Sequence, residues 1–429
     1  MSSLTVTLIL FSLLLLLLFL NVPLVVSIGL PTALIMLGSG MKVATLAQRT
    51  YASVDSFTLM AIPFFMLAGK LMEVGGMSKR IVRLADCLVG WMAGGLAHVI
   101  VVASAFFGAL SGSAAATTAA IGSTLIPEMK KRGYPADFVA GIQAVAGALG
   151  VIIPPSITMI MYGVCSSTSI GKLFMAGIVP GIVLALFLMV TIAYQAKKRK
   201  ISQMNTFTFK ELGAAFLDAI PALLVPTIIL GGIYGGIFTP TEAGAVAATY
   251  GFLAGAFWYK EINLQNIGNI MGGAIVNTVL VMIVVGASGA FSWLLTSAGV
   301  SSLLGKAISA IAGNKYIFLL VANLIFIFIG MFIESVAGIL IVTPILLPIA
   351  TSLGVDPVHF GIIMVVNLAL GLTTPPVGEN QYIAAAIAEI PFEEEVKASI
   401  PFLIAGFVAL AVITYVEPLS LWLPGILGM

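Results

Sequence analysis

The chain has 429 residues, of which 60% are hydrophobic and only 8% charged, with a mean hydropathy of +1.16. A soluble domain carries about 25% charged residues, so this composition belongs in a bilayer. The net charge of +2, without any basic–aromatic motif, gives no footing for nucleic-acid binding, and Cys87 and Cys165 lack the spacing of a zinc site or a disulfide framework.

A membrane helix needs about 20 apolar residues. In chain order such spans fall at 4–20, 23–40, 56–76, 91–110 and 114–129, then a broken one at 137–165 and another at 172–195. The first has neither a basic run before it nor an Ala-x-Ala site after it, so it reads as a retained helix. Lys197-Lys198-Arg199-Lys200 and the polar stretch Ile201 to Lys210 mark the one plausible linker. Beyond it come 217–236, 240–258, 266–297, 315–333, 336–352, a broken span at 358–390, and 400–425. Glu393-Glu394-Glu395 reads as a solvated loop, and all five arginines (Arg49, Arg80, Arg83, Arg132, Arg199) fall in or beside predicted loops.

The two broken spans carry the same phrase. Ala148-Leu149-Gly150 precedes Pro154-Pro155, and Ala369-Leu370-Gly371 precedes Pro375-Pro376, 221 positions on. A proline pair ends a helix, and in lipid the freed backbone groups need protein or a wet cavity to satisfy them. Further matches surround the pairs: Phe106, Gly108, Ser113 and Ala115 with Phe328, Gly330, Ser335 and Ala337, and Pro135 with Pro357, all at an offset of 222. Gly76, Ser78 and Gly90 match Gly299, Ser301 and Gly313 at 223. The chain is therefore expected to hold an internal repeat: residues 1–196, a cytoplasmic linker over 197–216, and residues 217–429.

Charge suggests that the repeats are inverted. The loop Lys130-Lys131-Arg132 is positive, whereas its counterpart Thr351 to Asp356 has no positive residue, and positive loops stay in the cytoplasm. Seven crossings per half, an odd number, would reverse the second copy and leave both termini outside. Segments 91–110 and 114–129 can equally form one re-entrant hairpin without changing that parity. Lys42, Arg49, Lys306 and Lys315 would then lie outside, against the trend.

Matching breaks in two inverted halves point to a transporter site near the midplane. Two kinds of position stand out. Gly108, Ser111 and Ser113 in the first half and Gly330, Glu334 and Ser335 in the second sit where small-residue bends would free carbonyls beside hydroxyls, an oxygen cage for a cation such as sodium. Close helix packing explains small residues there as well. Thr373 and Thr374, where the first half has Ile152 and Ile153, make the second break the more polar one. Past the proline pairs, Ser156 and Asn380 are placed to touch a substrate together with Pro154, Pro155, Pro375 and Pro376, or else to cap the restarted helices. Glu242 follows Thr239-Pro240 and reads first as a helix cap, Lys70 and Glu73 as a mutually neutralising pair, and His98 and His359 as structural. No Ser-His-Asp arrangement, HExxH, GxxxxGK or dinucleotide motif is present, which disfavours an enzyme or an ATP-driven pump.

With the Pro-Pro phrases, the Ser111-Gly112-Ser113 bend and Thr239-Pro240-Thr241-Glu242-Ala243-Gly244 in hand, the chain resembles, over essentially its whole length, the large membrane subunit of tripartite ATP-independent periplasmic (TRAP) transporters of the dicarboxylate and sialic-acid type. The resemblance implies an all-α polytopic protein of the elevator-type ion-transporter fold, seated in the bacterial inner membrane and coupled to Na+. It also implies a small four-helix membrane subunit and a periplasmic substrate-binding protein that delivers an organic acid. The alternative is a self-sufficient dicarboxylate or anion carrier of the same broad fold.

Overall fold

In a computed structural model the chain is described over residues 2–20, 22–201, 208–300, 303 and 314–428; Ser301, Lys306, Gly313 and residues 202–207 of the expected linker lie outside these. Among the described residues all regular structure is helical. The first half runs α1 (Ser3–Phe19), α2 (Leu24–Gly38), α3 (Val43–Val54), α4 (Ala61–Val74), α5 (Met77–Val89), α6 (Leu96–Ser111) and α7 (Ala114–Lys131). It continues through α8 (Ala136–Ala146), α9 (Leu149–Ile152), α10 (Ile157–Ser166) and α11 (Ile170–Lys198). The second half holds α12 (Phe209–Tyr234), α13 (Pro240–Leu253), α14 (Ile267–Ser297), α15 (Lys315–Gly330) and α16 (Ser335–Ser352). Last come α17 (Pro357–Gly371), α18 (Glu379–Ala388), α19 (Phe392–Tyr415) and α20 (Pro418–Ile426). Six of the helical spans are long and apolar enough to cross a membrane, or seven when Ala136–Ile152 and Ile157–Ser166, bent by 44°, count as one. The protein is a multi-pass membrane protein.

Four sequence readings are corrected. Residues 43–54 and 77–89 are helices rather than loops, so Arg49 lies within α3, and Arg80 and Arg83 lie within α5. Both helices are amphipathic and escape a search for apolar runs: in α5 only Met77, Ser78, Ile81, Leu84 and Ala85 are buried, one stripe at helical spacing. Arg80 and Arg83 reach Asp218 on α12 at 3.9 and 3.4 Å, and Arg80 also lies 4.0 Å over the Tyr259 ring. The expected linker ends early, because α12 starts at Phe209. The span at 400–425 divides between α19 and α20, with Pro418 opening the latter at a position where its missing N–H does no harm. Finally, Glu393, Glu394 and Glu395 form the first turn of α19, where acids complement the helix dipole, and Glu395 is fully buried.

The helices sort into two groups by contact. α2 to α5 and α12 to α14 pack on one another and form a frame. α6 to α11 and α15 to α19 form an inner group that meets the frame where α4 and α5 lie on α6 and where α14 lies on α16. Within the inner group the repeat is visible as geometry. α6 and α7 are joined only by Gly112-Ser113 and lie against each other as a hairpin; α15 and α16 form the matching one. At 16 residues, α6 and α15 are about 24 Å long, short of an apolar core of about 30 Å, as hairpin arms that turn back would be. Each hairpin packs on the broken helix of its own half through a glycine pair. A Cβ on Gly108 would stand 2.9 Å from Gly150 Cα, and one on Gly330 would stand 3.0 Å from Gly371 Cα.

The halves also interlock. α10, the restart after the first break, packs on α16 and α17 of the second half, and Tyr162 Oη donates to the Pro357 carbonyl at 2.6 Å. α18, the restart after the second break, packs on α7 and α8 of the first half. Because overpacking costs about 1–3 kcal/mol, Gly108→Ala and Gly330→Ala should each lower the thermal unfolding midpoint in detergent. Gly272→Ala, on an open face of α14, should leave the midpoint unchanged or raise it slightly, since Ala favours a helix interior.

Candidate functional site

The first break is sealed. Helix α9 ends at Ile152 and α10 begins after Ser156, whose Oγ accepts the Met159 N–H at 3.3 Å. Pro154, Pro155 and Ser156 are all buried. Gly112, at φ +62°, turns the hairpin tip so tightly that a Cβ there would come within 3.0 Å of the Pro155 carbonyl oxygen. The Ser113 hydroxyl caps α7 by accepting the Ala116 N–H at 3.4 Å, and the Ser111 hydroxyl meets the Thr117 hydroxyl of the other arm at 3.0 Å. Gly108, Ser111, Ser113, Pro155 and Ser156 therefore form one contiguous cluster. Its hydroxyls already serve the backbone or each other.

The second break is open. Between α17 and α18 the backbone turns back, and the Asn380 N–H donates to the Leu372 carbonyl at 3.1 Å. Thr373 and Thr374 each donate their hydroxyl to the Leu370 carbonyl at 2.7 Å, which satisfies an acceptor freed by the end of the helix. Both hydroxyl oxygens keep lone pairs for another partner. Pro376, Val377 and Glu379 are exposed, in contrast to the buried first break. At the tip of the second hairpin Glu334 is the cap of α16, its Oε2 accepting the Val336 N–H at 2.9 Å. Glu334 and Glu379 are both exposed.

Several oxygens in this region have no donor. Ser335 Oγ is buried without a partner, because Glu334 has taken over the capping that Ser113 performs in the first half. Asn380 donates through Nδ2 to the Ala144 carbonyl of α8 at 3.3 Å, across the interface between the halves, while its Oδ1 has no partner. Gln143 on α8 donates to the Thr117 carbonyl at 3.5 Å and likewise leaves Oε1 bare. Buried polar atoms are nearly always paired, so these oxygens are short of a donor or a cation. Sequence reading missed Gln143 and Thr117. Thr117 follows Ser113 by four positions, and that one-face spacing was the available signal.

Among the described residues no three His, Cys, Asp or Glu side chains converge as a metal-binding group. The donors on offer are hydroxyl, amide and carbonyl oxygens with Glu334 and Glu379 nearby, a set that suits a hard cation rather than a transition metal. The residues fit sodium. Other sequence readings hold as structure: Thr239 and Glu242 form a reciprocal capping box at the start of α13. Lys70 and Glu73 pair at 3.0 Å, and His98 and His359 bond the Ala93 and Thr414 carbonyls at 3.0 and 3.1 Å.

Paired hairpins facing paired helix breaks, within a helical membrane protein, define the chain as a transporter permease of the broken-helix class. The family model for the tripartite ATP-independent periplasmic transporter, DctM component, matches residues 8–419, and the chain belongs to that family. It is 43% identical over 404 residues to a C4-dicarboxylate TRAP transporter large permease of Pseudomonas aeruginosa, covering 94% of this chain and 95% of the relative. It is 37% identical over 378 residues to a sialic acid TRAP transporter large permease of Vibrio cholerae, covering 88% of each. The fold is similar to that of the Alcanivorax borkumensis YdaH transporter, described as having an unusual topology, with a TM-score of 0.63 at 14% identity over 89% of this chain and 87% of that one.

The two matched serines separate capping from ligand contact. Ser113→Ala removes a cap and should cost about 1 kcal/mol of stability in thermal melts. Ser335→Ala removes a buried oxygen that bonds nothing in the protein and should leave the melting temperature unchanged or raise it.

Proposed function

We propose that this chain is the transport subunit of a sodium-coupled secondary uptake system for an organic acid of the C4-dicarboxylate or sialic-acid class. The observation that carries the reading is that two buried oxygens of the second half, Ser335 Oγ at the hairpin tip and Asn380 Oδ1 past the break, have no donor, while the Thr373 and Thr374 hydroxyls at the break keep lone pairs. Sodium supplies the positive partner that these oxygens lack. Its charge makes the adjoining space hospitable to an anion, so ion and substrate bind cooperatively. No arginine stands at either break among the described residues, so the substrate carboxylate is held by Asn380, the start of α18 and the bound ion. Pro154, Pro155 and Ser156, sealed in the first half, contribute shape there; Pro375 and Pro376 border the open space.

The elevator reading rests on the two groups of helices. Between them lies a cleft of about 570 Å³, with Ser56, Thr58 and Phe238 on the frame side and Ser167, Thr168 and Ser169 on the inner side. The inner group carries both breaks, so moving it as one body past the frame carries the site across the bilayer. By the positive-inside rule, Lys130, Lys131, Arg132 and the run at 197–200 face the cytoplasm, and the second half runs inverted to the first in the inner membrane. A small membrane subunit covers the frame, and a periplasmic binding protein loads the substrate.

Uptake of a labelled C4-dicarboxylate into proteoliposomes should require an inward sodium gradient and both partner proteins. Ser335→Ala should raise the sodium concentration for half-maximal uptake several-fold, while Ser113→Ala should shift it less. Uptake of free substrate by this chain alone, without sodium, would contradict the proposal.

A further inference from the structure

Helix α18 restarts the chain after the second break without a side chain at its N-cap, because that position is Gly378. Gly378 is buried at φ +55°, whereas Val377 and Glu379 on either side of it are exposed. A Cβ on Gly378 would stand 2.6 Å from Gln381 Oε1 and 3.4 Å from the Thr374 carbonyl oxygen. The glycine is thus held between the break behind it and the Gln381 side chain ahead. Its carbonyl accepts the Gln381 N–H at 2.8 Å and the Tyr382 N–H at 3.2 Å, so where Gly378 sits decides where α18 begins. Asn380, within that first turn, closes the break through its N–H to Leu372 and reaches Ala144 through its side chain.

The other end of the Gln381 amide is fixed. Gln381 is 0% exposed, and its Nε2 donates to the Ser399 hydroxyl of α19 at 3.0 Å. Ser399 in turn donates to the Val396 carbonyl at 2.9 Å. At this point α19 lies hard against α8: a Cβ on Gly141 would stand 2.8 Å from both the Ala398 carbonyl carbon and the Ser399 nitrogen. Gln381 therefore spans from a tightly packed helix pair to the N-cap of α18. Its Oε1 has no donor, so it meets Gly378 by contact alone. A methionine would fill the same space without leaving a buried amide oxygen unpaired, so packing does not account for a glutamine here. The Nε2 anchor does.

The first half has no such link. At the corresponding position, 221 residues earlier, stands Ile160, and the Ser156 hydroxyl caps that restart directly. We propose that Gln381 is a positioning residue for the second break: anchored on Ser399, it holds Gly378 and the first turn of α18 in place. The substrate role of Asn380 rests on the functional reading above. On that reading, Gln381 sets substrate affinity by placing Asn380, without touching the substrate.

Hydrogen exchange of the full chain in lipid nanodiscs tests the brace without any transport measurement. Gln381→Met keeps the length of the side chain but loses the anchor. It should speed exchange of the amides of residues 380–382 about fivefold, the worth of one net hydrogen bond. Amides of residues 157–162, past the first break, should keep their wild-type rates. Ser399→Ala removes the anchor from the other helix and should act on the same amides in the same direction. Unchanged exchange at 380–382 in both variants, or equal acceleration past the two breaks, would overturn the proposal. In proteoliposomes with both partner proteins, Gln381→Met should raise the KM for a C4-dicarboxylate several-fold and leave the maximal rate within about twofold, which a mere loss of folded protein would not do. A fall in maximal rate at unchanged KM would also overturn it. Absence of wild-type uptake would count against the functional reading alone, with the exchange comparison still deciding the brace.

Discussion

The constraint on which the rest depends is the satisfaction of backbone groups where a helix stops inside apolar surroundings. Water is absent there, so every carbonyl and N–H that a break releases must find a protein partner or a ligand. At the first break the hairpin tip, the Ser156 cap and the glycine contacts leave the groups enclosed. At the second break Thr373 and Thr374 bond back to Leu370, and the Asn380 amide closes the turn onto Leu372. The glycine pairs Gly108–Gly150 and Gly330–Gly371 follow from the same demand, since only bare backbone lets a hairpin come close enough to cover a break.

The interlocking of the halves ties the two breaks to each other. Neither restarted helix packs mainly on its own repeat: α10 leans on α16 and α17, and α18 leans on α7 and α8. The Asn380 side chain reaches the Ala144 carbonyl in the opposite half. A displacement of either break therefore drags the other, which is the mechanical requirement for a body that moves as a unit. The asymmetry between the breaks is equally physical. Apolar Ile152 and Ile153 lead into a closed break, and Thr373 and Thr374 lead into an open one.

Much of this was legible in the sequence because proline pairs and glycine spacing report backbone geometry directly. The repeat and the two breaks follow from such residues, while the hairpins around Gly112 and Glu334 were one of two arrangements that the sequence allowed. What stayed hidden was amphipathic or tertiary. α3 and α5 carry too many polar residues to register as apolar runs, although the spacing of Met77, Ile81, Leu84 and Ala85 would have revealed the second. Ser113 and Ser335 look equivalent by position, yet Glu334 relieves Ser335 of its capping duty, and no spacing rule announces that. Glu395 ends an acidic run that reads as solvated; only the packing of α8 and α18 against α19 shows that this third acid faces inward.

The central claim is that the inner group of helices carries the site past the frame as one body. The most direct measurement bridges the cleft between them, with Thr58→Cys and Ser169→Cys introduced where Cys87 and Cys165 have been replaced by Ser, and a cleavable thiol crosslinker applied. The account predicts that crosslinking abolishes sodium-driven uptake in proteoliposomes and that cleaving the linker restores it. Undiminished uptake with the cleft fully crosslinked would contradict it.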